Sequence, residues 1–165
     1  MAAWLRRWWP ALLWGAAMSG FSTAGFSSEH TGHYIIPFLR WLMPHASQAT
    51  LELFHHYIRK SAHFTEYFIF SLLVLRGIRA GHPGTPHIRW ALVSILLVVG
   101  YAALDEFHQS FVPGRTALAT DVMIDAFGGV VAQIVAGLVM VWSNHRQKRG
   151  LSHISGTPLE STHVK

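Results

Sequence analysis

The chain has 165 residues, of which 51% are hydrophobic and only 13% are charged. Soluble domains carry roughly 25% charged residues, so this composition indicates a membrane protein. Cysteine is absent, which excludes disulfides and thiolate metal sites, and the formal charge of +5 comes from scattered Lys and Arg residues that form no patch suited to nucleic acid.

Four apolar runs approach the roughly 20 residues that a helix needs to cross a bilayer. They cover residues 8–26, 58–78, 90–111 and 122–142. We therefore expect an all-α, polytopic transmembrane domain with four spans over residues 1–142.

The first apolar run also has a second interpretation. Arg6 and Arg7, an apolar stretch and the small-residue triplet "STA" at residues 22–24 resemble a signal peptide with its cleavage site. We favour a retained helix because the run is long, aromatic and followed by further spans.

The segment between the first two spans is predicted to lie on the outer side as short interfacial helices. "YIIPFLRWLMP", residues 34–44, is apolar but too short to span. Residues 47–57 are expected to form an amphipathic helix that leads into the second span. His55 and His56 in that segment have no evident carboxylate partner, so we expect them at the surface.

Lys and Arg collect on the cytoplasmic side of membrane proteins, which sets the orientation. If both termini are cytoplasmic, nine of these residues lie inside and four lie outside. The four outer residues are Arg40, Arg59, Lys60 and Arg115. We therefore expect a multi-pass protein of the bacterial inner membrane, with residues 143–165 as a flexible basic cytoplasmic tail.

Polar side chains concentrate at the outer ends of the second, third and fourth spans. On helices, Lys60, His63 and Tyr67 share one face of the second span. Asp105 and Gln109 share a face of the third span. The candidate ligand-binding residues are Lys60, His63, Glu66, Tyr67, Asp105, Glu106, Gln109, Arg115, Asp121 and Asp125.

The charge balance of this set leaves two interpretations open. Lys60 and Arg115 could pair with the acids as an interhelical staple, but two cations face five carboxylates. The excess requires protonation, a bound divalent metal or a cationic ligand, so we favour a functional site. The candidate metal ligands are His63, Glu66, Glu106 and Asp121, and the candidate catalytic residues are His63, Glu66, Asp105 and Glu106. No metal spacing is specific, so the cofactor stays open.

The stretches "RKSAHFTEYFIFSLLVL" and "ALDEFHQSFVPGRTALATDVMIDAFGG" resemble the VanZ-like family of membrane proteins. That family shows Lys-x-x-His-Phe-x-Glu-Tyr, then Asp-Glu-x-x-Gln-x-Phe-x-Pro-Gly-Arg and a downstream Asp, and the resemblance covers about residues 21–142. The matching positions are Lys60, His63, Glu66, Tyr67, Asp105, Glu106, Gln109, Pro113, Gly114, Arg115 and Asp121. The family commonly has Asn near the place of Asp125, which is a departure here.

The resemblance implies a bacterial inner-membrane protein, and the founding member of the family is associated with resistance to the glycopeptide teicoplanin. Three functions stay open for this chain. An outer-leaflet pocket could bind a lipid-linked cell-wall precursor or a glycopeptide without turnover. The same residues could form an intramembrane, metal-assisted hydrolase or transferase acting on a lipid head group. A proton- or cation-coupled transporter is the third.

Overall fold

A computed structural model describes residues 2–80, 88–113, 115 and 117–154, and it shows that the fold is all-α. The helices are α1 Ala2–Phe21, a short 3-10 helix Ala24–Phe26, α2 Ser28–Leu42, α3 Gln48–Arg79, α4 Ile88–Gln109 and α5 Ala119–Ile154. Within these described ranges there is no strand. Met1, Gly114, Thr116, residues 81–87 and residues 155–165 lie outside them.

The segment between the first two predicted spans is helical, but its helices differ in extent from the prediction. α1 ends at Phe21 and α2 starts at Ser28, where the Ser27 hydroxyl accepts a hydrogen bond from the His30 amide at 3.2 Å. α3 starts after Ser47, whose hydroxyl accepts from the Thr50 amide at 3.2 Å. No proline or glycine follows before Gly77, so the predicted amphipathic helix and the second span form one continuous helix.

α3 is the central helix and packs against each of the other four. The core between them contains Met18 of α1, Tyr67 of α3, and Val98 and Ala102 of α4. His55 also lies on the buried side of α3, with 5% of its surface exposed, so its expected surface position is wrong. Its Nε2 atom lies 3.1 Å from the Thr31 hydroxyl of α2, which supplies the hydrogen bond that a buried imidazole requires.

Two glycines allow α5 to approach its neighbours closely. A Cβ atom added at Gly128 would lie 2.5 Å from the Phe64 carbonyl oxygen of α3. At Gly129 it would lie 2.9 Å from Cγ1 of Val98 on α4. Small residues of this kind are the usual means by which helix backbones come together in membranes.

Two of the described helices are long and apolar enough to cross a membrane. They are Ile88–Gln109 and the Ala119–Lys148 part of α5, with mean hydropathies of 1.7 and 2.0. Only 17% and 28% of their most apolar stretches are buried inside the molecule, which differs from the core helix of a soluble domain. α1 and α3 are not among them: α1 contains the adjacent arginines Arg6 and Arg7 and a proline, and α3 carries many polar residues.

α5 is longer than the predicted fourth span. It continues beyond Trp142 to Ile154, so the segment expected to be a flexible tail begins as helix. Arg146 stacks on the Trp142 ring at 3.8 Å, a cation–π contact that favours continuation of the helix.

Candidate functional site

Three helices bring the predicted polar residues together at one end of the bundle. The first half of α3, the C-terminal turn of α4 and the first turns of α5 meet there, because α4 and α5 are joined by a short connection. We call the side chains that contact one another at this end the polar cluster. It comprises Ser22, Lys60, His63, Tyr67, Asp105, Gln109, Arg115, Asp121 and Asp125.

Asp105 is the most heavily hydrogen-bonded acid of the polar cluster. Its Oδ1 accepts from the hydroxyl of Ser22, which lies just after α1. Its Oδ2 accepts from the Tyr67 hydroxyl at 3.2 Å and from Nε2 of Gln109 at 3.0 Å. Hydrogen bonds from three protein groups therefore stabilise this carboxylate. The charge count in the sequence had suggested that such a carboxylate needs a proton or a bound cation.

Ser22 is a site residue that the sequence interpretation missed. It is 3% exposed, and its hydroxyl also accepts from Gln109 Nε2 at 3.3 Å. The only sequence signal was the small-residue triplet at residues 22–24, which also fits a signal-peptide cleavage site. Its contact with Asp105 spans 83 positions of the chain, so no local pattern could have revealed it.

Arg115 contacts carbonyl oxygens, not the carboxylates expected of a staple. Its Nη1 donates to Gln109 Oε1 at 3.4 Å, and its Nη2 donates to the backbone oxygens of Phe21 and, at 3.3 Å, Thr23. Its buried Nε has no hydrogen-bond partner within the described part of the chain. Arg115 thus holds the α4–α5 connection against the end of α1. Among the described residues, its guanidinium forms no ion pair with a carboxylate.

Two pairs connect α3 with α5. Lys60 forms an ion pair with Asp121, and both side chains are about four-fifths buried. About one helical turn further along α3 and α5, His63 Nδ1 lies 3.7 Å from Oδ1 of Asp125. Both of those atoms are buried and without a hydrogen-bond partner among the described residues, and Asp125 is only 1% exposed. A small movement would bring them into hydrogen-bond distance.

Glu106 and Glu66 take positions apart from these pairs. Glu106 is 7% exposed, and its Oε1 accepts from the backbone amide of Leu118 at 2.6 Å, so it orders the chain that leads into α5. Glu66 is half-buried, and its backbone carbonyl accepts from the Trp14 indole at 3.0 Å. Neither contact points to a catalytic role for these two predicted residues.

A cavity of about 250 Å³ opens between these helices. Its charged lining consists of Arg59, Lys60, Arg115 and Asp121, with His56 and His63 beside them. Counting the histidines as neutral, three cations and one acid leave two formal positive charges. The charge of this cationic cavity is opposite in sign to the negative excess inferred from the sequence. Glu66, Asp105, Glu106 and Asp125 are not among its lining residues, and Asp105 and Glu106 accept hydrogen bonds from protein groups.

Arg59 belongs to this lining because α2 positions it. Its Nη1 donates to the Phe26 carbonyl at 2.8 Å and to the Thr31 hydroxyl at 3.0 Å. The Thr31 hydroxyl also pairs with His55. The position of Arg59 at the cavity therefore depends on a small hydrogen-bond network between α2 and α3. The sequence analysis left Arg59 and His56 outside the candidate set, because it counted Arg59 only among the outer cations and expected His56 at the surface.

The candidate metal ligands do not form a metal-binding group in the described structure. Glu106 faces Leu118, Asp121 faces Lys60, and His63 faces Asp125. Among residues 3–80, 88–113, 115 and 117–148, whose side chains the structure describes, no three His, Cys, Asp or Glu side chains are arranged to hold a metal ion.

A second polar group lies deeper in the bundle and was missed from the sequence. Gln133 Nε2 donates to the carbonyl and, at 2.7 Å, the hydroxyl of Ser71, and to the Ser94 hydroxyl at 3.1 Å. The Ser71 hydroxyl donates to the Gly129 carbonyl at 3.0 Å. The sequence signal for this polar group was a single glutamine, Gln133, inside the apolar run of α5. Polar side chains within such apolar helices generally form hydrogen bonds to a neighbouring helix.

Comparison with known proteins agrees with the motifs of the polar cluster. Searches of curated proteins and of solved structures found no match. The family model described as VanZ/LLP1 matches residues 7–140, which include α2, α3 and α4, most of α1, the first part of α5 and every residue of the polar cluster. The chain belongs to the VanZ/LLP1 family.

Proposed function

We propose that this chain is a four-span protein of the bacterial inner membrane whose outer-leaflet pocket binds an amphiphilic ligand with an anionic head group. The proposed spans are residues 8–26, 58–78, 90–111 and 122–142, with both termini in the cytoplasm. The ligand class includes lipid-linked cell-wall precursors and lipid-bearing glycopeptides such as teicoplanin, which would connect the chain to resistance.

The apolar surface of the bundle supports the membrane location. Leu96 of α4 and Leu138 of α5 expose 71% and 65% of their surface, and many other large apolar side chains on both helices are also exposed. Continuous apolar surface of this extent requires a lipid or protein environment. The contacts of α1 support a retained helix over a cleaved signal peptide. Met18 is part of the core, and the Ser22 hydroxyl just after α1 donates a hydrogen bond to Asp105.

The lining of the cationic cavity is the observation that carries the proposed ligand. Arg59, Lys60 and Arg115 face one space with a single lining acid, Asp121. Guanidinium and ammonium groups bind phosphate and carboxylate through charge-assisted hydrogen bonds. A site at the edge of the hydrocarbon strengthens such contacts, because water screens them less there than at a free surface.

Binding of an anionic lipid to the purified protein tests this function. We expect phosphatidic acid in nanodiscs to bind, and Lys60→Gln or Arg115→Gln to weaken binding at least tenfold. Arg40→Gln removes one positive charge from the same proposed side of the membrane, away from the cavity, and is the matched control. Equal binding by all four proteins would refute the cavity as the site.

The orientation has a separate test. A reporter fused after Gly114 is expected to behave as periplasmic, because this position lies in the connection between α4 and α5. A cytoplasmic reporter signal would place the cavity at the inner leaflet and refute the outer-leaflet site.

A second candidate function is an intramembrane hydrolase or transferase acting on the lipid head group. The pair of His63 and Asp125 favours it, since a carboxylate that faces one ring nitrogen can orient an imidazole whose other nitrogen meets a substrate. His63 also lines the cationic cavity. Release of inorganic phosphate from phosphatidic acid by the wild type, lost in His63→Gln with binding retained, would establish turnover. Absence of release by a protein that binds the lipid supports binding alone.

A further inference from the structure

A groove of about 630 Å³ runs beside the cationic cavity between α3 and α5. It is lined on α3 by Tyr57, Ser61, Phe64 and Thr65 and on α5 by Thr120 and Ile124. The cavity and the groove share three lining residues, His56, Lys60 and Leu118. They are therefore neighbouring spaces with a common wall.

Helix geometry explains how one segment of α3 serves both spaces. Arg59 and His63 lie one turn apart on the face toward the cavity, whereas Ser61 and Phe64 lie on the adjacent face. Lys60 stands on the edge between the two faces. Its ion pair with Asp121 thus forms the boundary between the interior cavity and the groove on the outside of the bundle.

The groove has a floor. The backbones of α3 and α5 come together at Phe64 and Gly128, where an added Cβ would lie 2.5 Å from the Phe64 carbonyl oxygen. The rings of Phe64 and Phe127 also pack there, with centroids 5.8 Å apart. On α3 the groove extends from His56 to Thr65, about 13 Å at ~1.5 Å per residue. It can hold only the first part of a long hydrocarbon chain.

We propose that this groove holds the head-proximal part of the hydrocarbon chain of a lipid phosphate monoester whose phosphate occupies the cationic cavity. The inference rests on the proposed function and names its ligand class. The charged groups that line the cavity have a net formal charge of +2, and a phosphate monoester carries about −1.5 to −2 at neutral pH. Lys60, on the shared wall, exchanges Asp121 for the phosphate as the head group passes from the groove into the cavity.

This arrangement needs no opening through the middle of the bundle. The groove lies on the outer surface between two helices proposed to span the membrane, so a lipid reaches it by lateral diffusion. Tyr57 is 59% exposed at the upper rim, where a tyrosine suits the boundary between head groups and hydrocarbon. The remainder of the chain stays in the bilayer.

Two probes of different chain length separate the groove from the cavity. Octadecyl phosphate can fill both spaces, whereas ethyl phosphate reaches only the cavity. Ile124→Trp fills part of the groove and replaces no residue that lines the cavity. Displacing about two methylene groups weakens octadecyl phosphate about tenfold, at ~0.8 kcal/mol per buried methylene, and leaves ethyl phosphate binding unchanged.

The matched control is Ile134→Trp, at an exposed isoleucine lower on the same helix. It is expected to leave the affinity for both probes unchanged. Unchanged octadecyl phosphate affinity in Ile124→Trp, with Lys60→Gln still weakening ethyl phosphate, overturns the groove and preserves the proposed function. Ethyl phosphate binding that is indifferent to Lys60→Gln overturns the proposed function itself.

A measurement on the unaltered protein covers the case in which the tryptophan variant does not fold. Octadecyl phosphate with a photoreactive group near the head end of its chain is expected to label residues 57–65 of α3 and residues 120–124 of α5. Labelling spread evenly over the exposed apolar face of α4 overturns the inference, because it indicates ordinary bilayer contact.

Discussion

Gly128→Ala tests whether the close contact between α3 and α5 sets the stability of the bundle. The added Cβ would lie 2.5 Å from the Phe64 carbonyl oxygen and 3.3 Å from its carbonyl carbon. These are backbone atoms in the interior of a long helix, so no side-chain rotation can relieve the clash. The helices must separate by about 0.9 Å for the closest contact to reach 3.4 Å, where ordinary van der Waals contact begins.

The expected cost follows from two opposing effects. Overpacking that forces a backbone shift typically costs ~1–3 kcal/mol, and separation also weakens the dispersion contacts on either side. Alanine is the better helix former by about 1 kcal/mol, which offsets part of this cost. Because the clash is with backbone, we expect a value near the upper end and a net loss of about 2 kcal/mol in the free energy of unfolding.

Unfolding in mixed micelles of increasing SDS content measures this loss. Gly137→Ala is the matched control on the same helix, since an added Cβ there has no atom of another described residue within 4 Å beyond its own helix and chain neighbours. We expect Gly137→Ala to be neutral or slightly stabilising. Identical unfolding midpoints for the two variants would refute the reasoning, because they would show that α3 and α5 do not touch at Gly128.

Three further predictions concern polar groups. Asp105→Asn replaces an acceptor oxygen with an amide donor facing other donors, and we expect the free energy of unfolding in SDS to fall by about 1–3 kcal/mol. Gln133→Leu removes the donor to Ser71, and the same measurement should show a loss of about 0.5–2 kcal/mol, as for other hydrogen bonds between membrane helices. Burial and the positive charge of Arg59 lower the pKa of the His55 imidazole below its ordinary 6.5. The unfolded chain then takes up the proton more readily, so unfolding temperatures should fall as the pH is lowered below 6.5, and His55→Gln should reduce this dependence.

Each of these predictions has a matched control elsewhere in the chain. Glu52→Gln makes the same acid-to-amide change at an exposed site and should be neutral. Gln147→Leu repeats the glutamine substitution at an exposed position of α5 and should not destabilise the bundle. His33→Gln, at an exposed histidine of α2, should keep the wild-type pH dependence. An equal effect in a variant and its control would contradict the corresponding prediction.

Local pattern in the sequence was sufficient for the helical fold and for the position of the candidate site. Apolar runs predicted the helices, and helical spacing placed Lys60, His63 and Tyr67 on one face of α3. Helix ends were less well predicted. The helix expected over residues 47–57 is continuous with the second predicted span, and α5 extends to Ile154, beyond the end of the fourth predicted span at residue 142.

The sequence by itself determined which charged groups share one end of the bundle, because their spacing along each helix is a local property. Only the tertiary structure decided which partner each group faces. Ser22 supplies a hydrogen bond to Asp105, Arg115 binds carbonyl oxygens, and Arg59 is turned into the cavity by α2. These contacts join segments far apart in the chain. As a result, the cavity is lined mainly by cations, although the candidate set as a whole contains more carboxylates than cations. A count of charges cannot predict this reversal, since the sign of a site depends on which side chains face it.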